Sequence, residues 1–60
     1  MKIDYISKID ASLTSARQAV IEEVEERISE LSNFFRVKSV SFCETVNNSF
    51  WTVTAYILYE

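Results

Sequence analysis

Apolar and polar positions change period twice along the chain. At the N-terminus Met1, Ile3 and Tyr5 alternate with Lys2 and Asp4, the period-2 pattern of a strand with one buried face. Residues 1 to 6 are therefore read as a short strand. The alternative is an irregular lead-in whose Ile6 and Ile9 staple onto the next element. From about residue 11 the spacing becomes three and four. Leu13, Ala16, Val20, Val24, Ile28, Leu31 and Phe35 then fall on one side of a helix, and Ile21 widens the stripe. Asp10 or Ser12 is the expected N-cap, because a short side-chain oxygen can accept from first-turn amides that lack a carbonyl partner. Ser32-Asn33 is the expected end. Such a helix, from 11 to about 33, runs roughly 34 Å at 1.5 Å per residue and must dominate the fold.

Residues 36 to 46 and 49 to 59 read as two strands, rich in Val, Phe, Trp, Thr, Tyr and Ile. Asn47-Asn48 between them is the expected two-residue turn, since Asn tolerates the left-handed backbone such a turn requires. That turn pairs Val46 with Ser49, Glu44 with Trp51, Phe42 with Val53, Val40 with Ala55 and Lys38 with Ile57. One face then collects Val40, Phe42, Val46, Trp51, Val53, Ala55, Ile57 and Tyr59 and is the expected core, with Trp51 as an anchor whose indole N–H seeks Glu44. The other face holds Val37, Ser39, Ser41, Cys43 and Thr45 from one strand, and Phe50, Thr52, Thr54, Tyr56 and Leu58 from the next. None of these ten positions is charged. Hydroxyls among apolar side chains suit a face that packs on a partner without burying charge, so this is the expected self-association surface.

The predicted fold is a single α+β domain over residues 1 to 60, in the order β-α-β-β, with one long amphipathic helix on a small antiparallel sheet. The direction in which the first strand pairs stays open. Length then changes the picture, because a 60-residue chain buries only about 60% of its unfolded surface and is marginal by itself. One Cys cannot form an internal bridge, and one Cys without any His cannot complete a zinc quartet. Self-association is the remaining supplement, so a homodimer or larger homo-oligomer is expected.

With 48% apolar and 25% charged residues the chain has the balance of a folded protein. Gly and Pro are both absent, although together they usually make up about 12% of residues, so loops are expected to be few and short. The same absence excludes Gly-rich phosphate loops and the Rossmann fingerprint. No apolar run approaches the roughly 18 residues that span a bilayer. The N-terminal Met-Lys-Ile-Asp-Tyr also lacks a signal peptide's apolar region. Cytoplasm is the expected compartment, with no membrane partner.

Nine acidic against six basic residues give a net charge of −3, the wrong sign for gripping phosphates, so nucleic acid is not expected as a direct partner. The acids concentrate on the helix. Glu22, Glu23, Glu25, Glu26 and Glu30 stand against one Arg27. Glu23 to Arg27 is a favourable i,i+4 pair, whereas Glu22 to Glu26 and Glu26 to Glu30 are repulsive. The cluster also lies in the helix's second half, where the macrodipole favours cations. A solvated face that keeps the protein soluble is one explanation. The other is a docking face for a basic protein partner, carried by Glu22, Glu25, Glu26 and Glu30.

Candidate chemistry is sparse. Cys43 has no His to activate it and no adjacent Lys or Arg to lower its pKa, and the serines and threonines lack the same imidazole. Glutamates at helical spacing can hold hard cations, but di-iron carboxylate sites need a Glu-x-x-His that this chain does not contain. The expectation is a protein that is not an enzyme, with no cofactor and no metal site.

The order strand, long helix, two-stranded hairpin in about 60 residues resembles the dodecin architecture, which implies a hollow flavin-binding oligomer. Dodecins stack flavin on a tryptophan in the strand after the helix, where this chain has Arg36-Val-Lys-Ser-Val40. Trp51 lies on the following strand and Gln18 on the helix, so the resemblance carries over no flavin-site residue. The ending Thr54-Ala-Tyr-Ile-Leu-Tyr-Glu60 is similar to that of small Bacillus sporulation proteins, which implies a structural assembly component. In size and acidity, and in its lack of catalytic residues, the chain resembles small phage-encoded inhibitors of bacterial defence, of the anti-Hachiman and anti-CRISPR kind. These occlude their targets, often as homodimers. The expectation is a non-catalytic protein-binding homodimer acting in the host cytoplasm if phage-encoded, with a flavin-binding oligomer or an assembly protein as alternatives.

Overall fold

A computed structural model describes all 60 residues. The elements are β1 (Lys2–Asp10), α1 (Leu13–Leu31), β2 (Val37–Asn47) and β3 (Phe50–Tyr59), which is the expected β-α-β-β order. The three strands form one antiparallel sheet in the order β1-β3-β2. The most apolar strand, β3, is therefore central, and β1 and β2 are both edges. α1 crosses one face of this sheet and packs on β1 and β3.

The helix starts where its caps act. The Ser12 Oγ accepts from the Ser15 amide at 3.4 Å, and the Asp10 carboxylate accepts from the Ser12 amide at 2.9 Å. Both proposed capping residues are thus used, one as cap and one to hold the turn before it. Ser32 closes the other end. The 19 residues between run roughly 28 Å at 1.5 Å per residue, shorter than the residue-11-to-33 expectation. The helix has no acidic side chain in its first turn and no basic one in its last, so its macrodipole gains nothing from the sequence. Its stability comes from the face it buries.

That face meets β3. Ala16, Val20 and Val24 of α1 pack with Val53, Ala55 and Ile57 of β3 and Ile6 of β1, and these seven residues are the whole buried core. Leu13, Ile28, Leu31, Val37 and Val40 pack around it. At the far end Phe35 meets Tyr59 edge to face, with 5.0 Å between ring centroids. Arg36 and Glu60 exchange both backbone hydrogen bonds there, at 2.6 and 2.9 Å, which fastens the two chain ends of the hairpin together.

The hairpin turn sits one residue later than expected. Asn48 and Ser49 are its central residues, with φ of 50° and 68°, and Asn47 pairs with Phe50. Moving the turn by one residue changes every cross-strand partner by two, so Val40 now faces Ile57 and Phe42 faces Ala55. Two residues is one full side-chain period, and the faces keep their membership. Val37 is the exception. A bulge between Val37 and Ser39 places Val37 opposite Tyr59 on the helix side, so Val37 does not belong to the open face where the sequence placed it.

β1 corrects a second expectation. Its buried residue is Ile6, opposite Ala55, while Ile3 and Tyr5 turn away from the helix and are about two-thirds exposed. The residues that share Ile6's side are Lys2, Asp4, Lys8 and Asp10. They are tolerated there because the helix flank supplies counter-charges. Arg27 donates to the Asp4 carboxylate, Lys8 lies 3.4 Å from Glu23, and the Lys2 ammonium sits 4.7 Å above the Phe35 ring. Alternation fixes that two faces exist but not which is buried. Here the ion pairs with α1 decide.

Candidate functional site

Two surfaces are left without a partner in the chain. The first is the outer side of α1. Glu22, Glu25, Glu26 and Glu30 are all exposed and lie opposite the stripe of Ala16, Val20 and Val24 that enters the core. Their only side-chain bond is a 3.3 Å hydrogen bond from Gln18 to Glu22. Four of the six cationic side chains are paired elsewhere: Lys8 with Glu23, Arg17 with Glu44, Arg27 with Asp4 and Lys38 with Glu60. Arg27, expected to answer Glu23 along the helix, reaches across to β1 instead. Its guanidinium is held above its ordinary pKa chiefly by the hydrogen bond to Asp4, then by that carboxylate's charge, with smaller contributions from Glu30 and Glu23. The excess negative charge of the chain is therefore concentrated on the outer helix.

The second surface is the sheet face turned away from α1. Ser39, Ser41, Cys43 and Thr45 of β2 share it with Phe50, Thr52, Thr54, Tyr56 and Leu58 of β3, as expected, and Ile3, Tyr5, Ser7 and Ile9 of β1 complete it. Cross-strand rows run Ile3–Leu58–Ser39, Tyr5–Tyr56–Ser41, Ser7–Thr54–Cys43 and Ile9–Thr52–Thr45. No charged residue stands on any of the three strands here. In the middle row the Ser7 and Thr54 hydroxyls are hydrogen-bonded at 3.0 Å. The β1 members were missed because the sequence pattern placed Ile3 and Tyr5 on a buried face and ended the strand at residue 6, short of Ser7 and Ile9, whereas β1 runs to Asp10. Their alternation with a Lys-x-Asp series was the available signal, once the helix flank is known to carry Glu23 and Arg27.

On the helix side, β2 extends past the edge of α1. Phe42 and Val46, expected in the core, are more than half exposed. Trp51, beside Val46, is half-buried. The Glu44 carboxylate, expected to accept from the Trp51 indole, is instead held by Arg17 through two hydrogen bonds, from Nε and, at 2.8 Å, from Nη2. Arg17 thereby holds Glu44 below the ordinary carboxylate pKa, mainly by hydrogen bonding and secondarily by its charge, and its own pKa rises in return.

Cys43 is a free, exposed thiol on the open face. The surface has no cavity, no group of three or more His, Cys, Asp or Glu side chains is placed to hold a metal ion, and no helix is long and apolar enough to cross a membrane. No protein-family model, no curated protein and no solved structure matches the chain.

Proposed function

We propose that the chain is a non-catalytic protein-binding module that works as a homodimer and engages a basic surface of another protein through the outer face of α1. The observation that carries this reading is the distribution of ion pairs. Four cations neutralise Asp4, Glu23, Glu44 and Glu60, and none is spent on Glu22, Glu25, Glu26 or Glu30. Repulsion among neighbouring glutamates lowers helix stability, and a basic partner relieves it on binding. Such a surface also steers a positively charged target to itself before contact. Occlusion of that target is the mechanism. Its assignment to a phage-encoded inhibitor of bacterial defence rests on the resemblance in size, acidity and lack of catalytic residues.

The test is a double charge reversal, Glu22→Lys with Glu26→Lys, in a chain immobilised for capture from an extract of its native host. Circular dichroism should be unchanged, because both side chains are exposed. Affinity for the captured protein should fall by at least about 10-fold, and the wild-type affinity should weaken as salt rises. Unchanged affinity in the reversed variant excludes this face as the recognition surface.

A further inference from the structure

We infer that two copies of the chain stack through their open sheet faces, making a four-layer helix–sheet–sheet–helix dimer in which Ile3, Tyr5, Ile9, Phe50, Tyr56 and Leu58 become interior. This deepens the homodimeric part of the functional reading and is independent of its acidic helix face. Three observations identify the occupant as a second copy.

The first is area. Ile3, Tyr5, Ile9, Phe50 and Tyr56 are between 43% and 67% exposed. An aromatic side chain buries roughly 150–250 Å² when covered and an isoleucine somewhat less, so these five together hold on the order of 500 Å² of exposed, mostly apolar surface. Leu58 and the intervening serines and threonines add to it, toward the roughly 800 Å² per partner of a standard interface. The chain as a whole exposes 4230 Å², somewhat above the about 4,000 Å² of a compact monomer of its mass.

The second is charge. In a two-fold dimer each patch meets its own copy, so any charge on it faces the same sign nearby. The outer helix face is disqualified by its glutamates, whereas the open sheet face carries no charge for a second copy to repel. Of the two broad surfaces, only the open sheet face lets a second copy of this acidic chain approach without like-charge repulsion.

The third is polar satisfaction. The Ser7 and Thr54 hydroxyls at the centre of the face already bond one another, so covering them leaves neither without a partner. Two such sheets pack about 10 Å apart, and the arrangement sends both acidic helices to the outside, pointing in opposite directions. One dimer then presents two recognition surfaces.

The experiment measures mass by sedimentation over a 100-fold range of protein concentration, for the wild type and for Thr54→Glu, Tyr56→Lys and, on the free edge of the helix side, Phe42→Lys. Cys43, which lies on the open face beside Thr54, reports independently through its rate of alkylation by iodoacetamide. The wild type should sediment at twice the 7.0 kDa chain mass at high concentration, with Cys43 protected, and its urea midpoint should rise with concentration. Thr54→Glu and Tyr56→Lys should weaken association on the order of 100-fold, and Phe42→Lys should leave it intact. Should the face variants fail to fold, a wild-type midpoint that rises with concentration, together with a protected Cys43 and a dimer that survives Phe42→Lys, still decides. A wild type that stays monomeric with Cys43 freely reactive overturns the inference, as does a dimer abolished by Phe42→Lys alone, which would be joined through the edge of β2.

Discussion

On its helix side β1 carries Lys2, Asp4, Lys8 and Asp10, and on its open side Ile3, Tyr5, Ser7 and Ile9. Apart from Ile6, which enters the core, the strand thus puts its charges toward the protein's own helix and its apolar Ile3, Tyr5 and Ile9 toward the outside. The difference shows what a charge requires at a sheet surface. Arg27, Glu23 and Phe35 stand ready for Asp4, Lys8 and Lys2, whereas the open face has nothing in the chain to answer a charge and displays none. The covered face is finished within one chain over β1 and β3, and only its β2 margin, at Phe42 and Val46, stays open. The open face has the composition of an interface and not of a surface evolved for water.

The contrast can be broken most directly at neighbouring positions of β3. Ile57→Ala, on the covered side and fully buried, should lower stability by about 2–5 kcal/mol in urea unfolding. Tyr56→Ala, on the open side, should cost below about 1 kcal/mol in dilute solution, with a larger cost as protein concentration rises. Equal losses at both positions would show that the two faces are equally buried.

Smaller changes sharpen it. Ser49 adopts φ of 68° without being glycine, so Ser49→Gly should raise stability by about 1 kcal/mol through the turn alone, with no change in the mass measured by sedimentation. Asp4→Asn removes a partner of Arg27 at a pair that is only partly shielded from solvent. Its cost should stay below about 1 kcal/mol and vanish near about 1 M salt; a larger, salt-insensitive loss would mean that Asp4 holds β1 in place by more than charge.

The smallest effect is a pH dependence at Arg17 and Glu44. Because Glu44 has a lowered pKa in the folded chain, its contribution is present above the ordinary carboxylate pKa and is lost as pH falls through the depressed folded value. The stability difference between wild type and Glu44→Gln should therefore be constant near neutrality and shrink in acid. The raised pKa values of Arg17 and Arg27 act only in strongly alkaline solution, where the cations would be lost. A difference that grows in acid would reverse the sign of the assignment.

The helix and the hairpin were legible because their periods are strong and their caps are local. Ser12 and Asp10 lie next to the first helical residue, and Asn48 tolerates the left-handed turn. The turn was placed one residue early, yet the faces came out right, since that error moves partners by a full period. Val37 was misplaced because the bulge beside it is formed without glycine or proline and so leaves no mark in the sequence. Phe42 and Val46 were assigned to the core because their face was known and the helix's lateral position was not. A stripe on α1 specifies that it buries one side, and only the β1-β3-β2 order determines that it lies over β1 and β3. The acidic positions of the outer helix were legible as positions. That none of them forms an ion pair was not, because it depends on cations reaching across to the sheet.

The irregularity at Lys38 has a consequence for growth of the sheet. β2 is a long edge strand with little charge along it, the sort of rim that recruits further strands end on end into filaments. An extra residue interrupts its ladder near one end and adds local twist, and Lys38, bound to Glu60 at 3.3 Å, sets a charge at the break. The end of that rim next to Val37 is therefore withdrawn as a template. The face-to-face stacking we infer uses the broad side of the sheet and does not depend on this rim, whose interrupted end is blunted against strand addition.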